Sequence, residues 1–317
     1  MSSALKNKID FSVIMAVEHA NPNGDPLNGG RPRQTYDGLG EMSDVCLKRK
    51  IRNRLQDMGE SVFVQSDDRR SDEHRSLHSR YNAVSGGKKD WDPRRDSCSE
   101  WFDVRAFGQV FAFKAKGKSK KKAVVEETSE DSNSVSIGIR GPVTIQGAYS
   151  LGRVVTDSIQ ITKSVNLETD PKDPDGRGGD TMGSKHRISK GVYVAYGSIS
   201  PNLAARTGFS DSDAEKIKNA LCSLFENDIS AARPEGSMRV LKVVWWQHNL
   251  PCGQYSSAKV HQSLKSALQT DGTFSEKAVE EALPNLKVEF LDQLEGAPLA
   301  ALSARQPETA GVEVGEK

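Results

Sequence analysis

Phe11, Val13, Met15 and Val17 alternate along Ile9–Glu18 with neighbours that are themselves partly apolar. That is the pattern of a central strand buried on both faces. From His19 to Gly40 the pattern stops: Asn-Pro-Asn-Gly-Asp-Pro occupies 21–26, and Asn28, Gly29, Gly30 and Pro32 follow. Such a density of turn formers predicts a long loop, and loops of that length are usually functional or without fixed structure. Helical spacing begins after Ser43, a good N-cap, with Leu47, Ile51, Leu55 and Met58 on one face and Gly59 closing the helix. Val62–Val64 reads as a short strand, Gln65–Glu100 as a polar, irregular insertion, and Trp101–Phe111 as a short helix with an apolar face.

Further along, Lys114–Asn133 is low in complexity, with a basic run over Lys116–Lys122 and an acidic one around Glu126, Glu127, Glu130 and Asp131. It reads as a surface loop with opposed charge blocks. Val135–Ser150 is β-rich but interrupted by Arg140-Gly141-Pro142, Ser158–Ser164 alternates through Ile159 and Ile161, Asn166–Gly183 is turn-rich, and Gly191–Ser198 is a strand. Ser210 and Asp213 open an amphipathic helix in capping-box fashion, carried on by Ala214, Ile217, Leu221 and Leu224. Met238–Trp246 is a strong strand; short helices near 256–268 and 275–283 and a strand near 286–291 follow. With the insertions set aside, the order is strand (9–18), helix (43–58), strand (136–149), strand (191–198), helix (211–228), strand (238–247). This predicts an α+β fold, a ferredoxin-like or RRM-like βαββαβ unit. The expected organisation is one domain over 1–295, with insertions at 65–100 and 114–133, a projecting β-hairpin at about 155–190, and a disordered tail over 296–317.

Composition narrows the function. The 317 residues are 36% hydrophobic and 27% charged with net charge +1, so any attraction to nucleic acid has to come from local clusters. No run of 18 apolar residues is present, so no membrane partner is expected. The N-terminus lacks an apolar signal core, and Cys46, Cys98, Cys222 and Cys252 are far apart, which points to the cytoplasm and away from zinc or redox motifs.

Candidate chemistry gathers at few places. The stretch Lys48–Arg54 holds five cations and no acid; Lys48, Arg49 and Arg52 read either as a row for backbone phosphates or as a solvated helix face. The loop His19–Gly40 offers amides for an anion nest and the guanidinium groups of Arg31 and Arg33; alternatively it is a structural loop stiffened by Pro22, Pro26 and Pro32. Met182, followed by Lys185, His186 and Arg187, is either an apolar hairpin tip able to wedge between bases or a core side chain. Arg140 would bring a guanidinium to RNA, while Gly141 fits a close backbone approach or a tight turn. Trp245, Trp246 and Tyr255 are stacking candidates, the first two fitting a core better. His74 and His78 are four apart without a third ligand, and an Asp170–Gly176 calcium loop fails at its first and closing positions, so no metal and no cofactor is expected. Walker, dinucleotide and nucleophile-elbow motifs are missing, and no histidine sits in a recognisable acid–base group.

Seven ordered segments together resemble the backbone subunit of the CRISPR Cascade surveillance complex, most like that of type I-C. They are Asn21-Pro-Asn-Gly-Asp-Pro26 with Arg31-Pro-Arg33, Ser43–Asn53, Phe102–Gly108, Arg140–Val143, Thr181–His186, Arg206–Ser210 and Asp228–Arg233, spread over residues 9–250. The resemblance implies an RRM-like palm, a β-hairpin thumb, and several copies wound along one CRISPR guide RNA, with other Cascade subunits and target DNA as further partners. It also implies that Asn21, Arg31, Arg33, Ser43, Lys48, Arg49, Arg52, Arg140, Met182, Lys185 and His186 lie along the RNA. The role implied is non-catalytic. A rival reading is an RNA-cleaving relative in which Asp25 or Asp37 holds a metal or orients water. A third is a scaffold that binds only protein.

Overall fold

The computed structural model describes residues 3–86, 88–113, 135–163, 169–170, 173–177 and 181–293. The expected charge-block loop over 114–133 and the tail over 296–317 lie outside the described residues.

The chain enters through β1 (Ile9–Ala20), whose side chains are buried on both sides up to Val17, as the alternation required. The loop that follows is tied down by a two-residue ladder between β2 (Gly24–Asp25) and β3 (Arg31–Pro32), then by β4 (Leu39–Met42). Helix α1 (Asp44–Asp57) starts at Ser43, whose hydroxyl accepts the Cys46 amide. It buries Leu47, Ile51 and Leu55.

The 65–100 segment, expected to be irregular, contains α2 (Leu77–Ser85) and α3 (Pro93–Glu100). Phe63, Tyr81, Cys98, Trp101, Val104 and Phe111 form its small core. Helices of eight or nine residues span too few turns to show a clear period, so the sequence pattern missed them. Where one helix was expected over 101–111, α4 (Phe102–Phe107) stops at Gly108, which has φ +80°, and β5 (Gly108–Phe113) pairs with β6 (Val135–Arg140). The strand expected over 136–149 is thus broken. Beyond Gly141, β7 (Val143–Ile145) and β8 (Ala148–Arg153) join the main sheet instead. A Cβ on Gly141 would collide with the Ala106 carbonyl and the backbone of Phe107 and Gly108, so close approach to the end of α4 explains this glycine.

Next come β9 (Thr156–Lys163), a pairing of β10 (Thr169–Asp170) with β11 (Asp173–Arg177), and the long β12 (Thr181–Ile199). The C-terminal part adds α5 (Pro201–Thr207), α6 (Asp211–Cys222), β13 (Met238–Gln247), α7 (Ser257–Ala267), α8 (Glu276–Glu281) and β14 (Lys287–Leu291). Helix α6 ends earlier than the expected 228, where Ser223 turns its hydroxyl back onto the Asn219 carbonyl.

The architecture is mixed α/β around one large antiparallel sheet, ordered β14-β13-β1-β12-β8-β4, with β7 and β9 also on β12. Side chains of α1 and α6 cover one face, packing on Phe11, Val13, Met15, Val243 and Trp245. Helices α7 and α8 cover the other face around Val244 and Trp246. Both tryptophans are fully buried, so neither is a base-stacking platform. Tyr255 is partly buried over α7, and its hydroxyl donates to the Pro284 carbonyl. Among the described residues no helix is long and apolar enough to cross a membrane, and all four cysteines are free.

Candidate nucleic-acid interface

The junction between the loop and α1 is a closed network. Asn23 Oδ1 accepts from the Ser43 amide at 2.9 Å and from the Ser43 hydroxyl at 3.0 Å. Asn21 is 7% exposed and donates through Nδ2 to the Gly30 carbonyl at 2.8 Å. The Gly30 amide donates to the Asp25 carbonyl, and the Arg33 amide to the Asn23 carbonyl. The open amide nest expected here is therefore absent at these positions: the loop's own carbonyls take the donors. Asn21 and Ser43 hold the loop against α1, and the buried Asn21 Oδ1 has no hydrogen-bond partner among the described residues. Arg33 lies 3.6 Å from Asp25, and Arg31 is exposed at the hairpin tip beside Gly29 and Gly30, both at positive φ. Two fully exposed side chains went unnoticed in the sequence, Leu27 (97%) and Tyr36 (106%). Nothing but loop position distinguishes either in a sequence.

The cations of α1 are not a bare row: Lys48, Arg49 and Arg52 each have a partner within the chain. Acids supplied by other segments meet three of its five cations. Lys50 is paired with Asp228 and Arg54 with Glu226. Arg52 Nε donates to Asp103 at 2.9 Å and lies over the Phe107 ring. Asp103 is 1% exposed and also accepts the Phe63 and Val64 amides. Arg49 donates to the Val64 carbonyl; its burial, and then the neighbouring Arg52 charge, lower its pKa. Lys48 pairs with Asp44 one turn back, and both are partly exposed. The counter-charges at 103, 226 and 228 are far away in sequence, so the stretch looked unopposed.

The hairpin built by β9 and the first half of β12 sorts its side chains by register, since directly opposed residues share a face. Met182, Ser184 and His186 face Thr162, Gln160 and Ser158, whereas Gly183 and Lys185 face Ile161 and Ile159. Met182 is thus a strand residue rather than a loop tip, and at 69% exposure it is not folded onto the core. His186 shares a hydrogen bond with Ser158 at 2.9 Å. Ile159 and Ile161 are exposed on the opposite face, at 37% and 50%. Arg140 stands apart from these elements, exposed at the end of β6.

Asp25 caps the turn after it by accepting the Leu27 amide and pairs with Arg33; Asp37 is exposed. No group of three His, Cys, Asp or Glu among the described residues is arranged to hold a metal ion. The structure does bring together an acid–base pair that the sequence hid, 238 residues apart: His248 Nε2 and Asp10 at 2.9 Å. His248 Nδ1 accepts the Gln254 amide, which places the proton on Nε2, and both side chains are fully buried, so this pair has no access to a substrate.

The sequence pattern of the family described as CRISPR-associated protein Cas7 matches residues 7–287. A CRISPR-associated protein Cas7 of Haloferax volcanii is 30% identical over 224 residues, 68% of this chain; the match spans 63% of that relative's length. Two solved chains, titled "CRISPR RNA-guided surveillance complex, pre-nicking" and "CRISPR RNA-guided surveillance complex", are similar at TM-scores of 0.42 and 0.45 with 14% and 15% identity. Those alignments cover 87% and 93% of this chain and 86% and 92% of theirs. On the extent of the family match and the relative's identity, the chain belongs to the Cas7 family of CRISPR-associated proteins.

Proposed function

We propose that this chain is a non-catalytic, cytoplasmic backbone subunit of an RNA-guided surveillance complex, of the type I-C kind, which lines up in several copies along one CRISPR guide RNA. It presents that RNA for pairing with target DNA and contacts other subunits of the complex. The observation that carries the reading is family membership over residues 7–287. The geometry supports it in two ways. Strands β13, β1, β12 and β7/β8 stand side by side, all antiparallel, with α1 and α6 on one face. That is the strand order of a βαββαβ palm. The β9–β12 hairpin is the candidate thumb, carrying exposed Met182 with Lys185 and His186.

The proposed RNA surface comprises Arg31, Arg33 and Tyr36 of the loop, Lys48 at the start of α1, and the hairpin residues. Asn21 and Ser43 position the loop. Arg49 and Arg52 reach RNA only if their internal partners let go. Contacts of this kind suit sequence-independent binding, in which cations meet phosphates and an aromatic ring stacks on any base.

The test is to purify the full chain without nuclease treatment, measure the ratio of absorbance at 260 and 280 nm, and sequence whatever RNA is bound. Bound CRISPR RNA, seen by electron microscopy as regularly spaced copies along a strand, is the expected result. A nucleic-acid-free preparation that also fails to bind added RNA overturns the reading in favour of a protein-only scaffold. Evenly spaced, magnesium-dependent cuts lost in Asp25→Ala or Asp37→Ala would overturn the non-catalytic part alone.

A further inference from the structure

Helix α3, the end of β6 and the last turn of α5 meet at a cleft of about 390 Å³, lined by Arg94, Arg140 and Arg206 together with Ile139 and the buried Cys98 and Thr207. No acid lines it. All three arginines are exposed, and among the described residues none of them forms an ion pair or a side-chain hydrogen bond. The contrast with α1 is informative. There Lys48, Lys50, Arg52 and Arg54 each meet an acid of the same chain. Here three like charges, brought together from positions 94, 140 and 206, have no acid partner among the described residues.

Converging cations repel each other, and an anion placed among them relieves that repulsion. Guanidinium groups present planar forks of donors that match the oxygens of a phosphate two at a time. The cleft is open and polar, which suits a strand passing through it better than an enclosed apolar ligand.

We propose that Arg94, Arg140 and Arg206 form a phosphodiester-binding cleft that takes the backbone of a nucleic-acid strand, built from elements other than the Arg31–Tyr36 loop and the β9–β12 hairpin. The choice of nucleic acid as the anion rests on the function proposed above. The charge cluster itself does not. Arg140 accordingly belongs with Arg94 and Arg206, and neither of those two is needed by the loop or the hairpin.

The test uses the full chain with Arg94→Gln, Arg140→Gln and Arg206→Gln combined, and Arg206→Gln alone as a milder variant. Since all three side chains are exposed, circular dichroism and the urea midpoint are expected to match the wild type. Binding is measured for labelled single-stranded RNA, single-stranded DNA and duplex DNA across a salt series. At low salt the triple variant is expected to bind roughly 10- to 100-fold more weakly, with the slope of log affinity against log salt reduced by about two for single strands and closer to three for a duplex. A loss confined to RNA assigns the strand to the guide, and a loss confined to DNA assigns it to the target; either supports the cleft. Unchanged affinity and slope in all three arms overturns it. Should the triple variant unfold, the same slope comparison on Arg206→Gln, with an expected reduction of about 0.7 to 0.9, decides. A wild type that binds no RNA but loses DNA binding in the variant sinks the proposed function and leaves the cleft standing; a wild type that binds RNA and DNA as well as the variant does the reverse.

Discussion

Replacing Arg52 by Gln leaves the Asp103 carboxylate in the interior without its cation. Asp103 is 1% exposed and accepts from three donors: the amides of Phe63 and Val64, at 2.7 and 3.1 Å, and Arg52 Nε, at 2.9 Å. Removing one partner of a buried ion pair costs about 3–5 kcal/mol. Two corrections lower that figure. The two amides remain, and the Arg52 side chain is 13% exposed, so water reaches the gap. The expected loss is about 2–3 kcal/mol, including the guanidinium's contact with the Phe107 ring. The comparison variant is Lys48→Gln, whose partly exposed pair with Asp44 is worth about 0.3–0.5 kcal/mol. Urea denaturation of both variants against the wild type reads the difference. At a slope of about 3 kcal/mol per molar, Arg52→Gln shifts the midpoint by about 0.7–1 M and Lys48→Gln by under about 0.2 M. If Arg52→Gln instead keeps the wild-type midpoint while its RNA affinity collapses, Arg52 is a phosphate ligand after all, and its pairing with Asp103 is not what holds it.

Two further outcomes are expected. Tyr36→Ala leaves the urea midpoint unchanged, since the ring is fully exposed, but weakens RNA binding by about 1–3 kcal/mol if a base stacks on it; equal affinities by fluorescence anisotropy exclude the ring from the interface. His261 donates to the Gly197 carbonyl, and burial, only partly opposed by Asp10, lowers its pKa from 6.5. A histidine with a lowered folded pKa takes up its proton first in the unfolded chain, so stability is full above about pH 6.5 and declines as pH falls toward the folded value. Asp10 does not confuse this window. Burial raises its pKa, but hydrogen bonds from His248 and Ser257 and the Lys8 charge outweigh burial and leave it below 3.8, so its contribution is present above that pH and fades only below it. Urea midpoints of wild type and His261→Gln between pH 4.5 and 7 are therefore expected to converge on the acid side, and a wild-type slope preserved in the variant refutes the assignment.

Much of the scaffold was legible in the chain because its signals are local. Phe11–Val17 announced a doubly buried strand by alternation along seven residues, and Ser43 with Gly59 and Ser210 with Asp213 marked the bounds of α1 and the start of α6 through contacts within a few residues. Elements without such local signals were misread. Helices α2 and α3 hid in polar sequence, and the apparent strand over 136–149 was split at Gly141 by the backbone of α4, which no reading of neighbours reveals.

The candidate site divides along the same line. Sequence by itself determined which side chains carry charge or an apolar surface: the five cations of Lys48–Arg54, the loop arginines, Met182 with Lys185 and His186. Only the tertiary structure decided which of those charges are available. Asp103, Glu226 and Asp228 fold back onto α1 and pair with Arg52, Arg54 and Lys50, while Arg94, Arg140 and Arg206, scattered along the chain, converge with no acid among the described residues lining their cleft. Electrostatic energy depends on distance in space and on exclusion of water rather than on separation along the chain. A charge can therefore be counted from the sequence, but whether it is free to meet a phosphate is settled by the groups that folding places beside it.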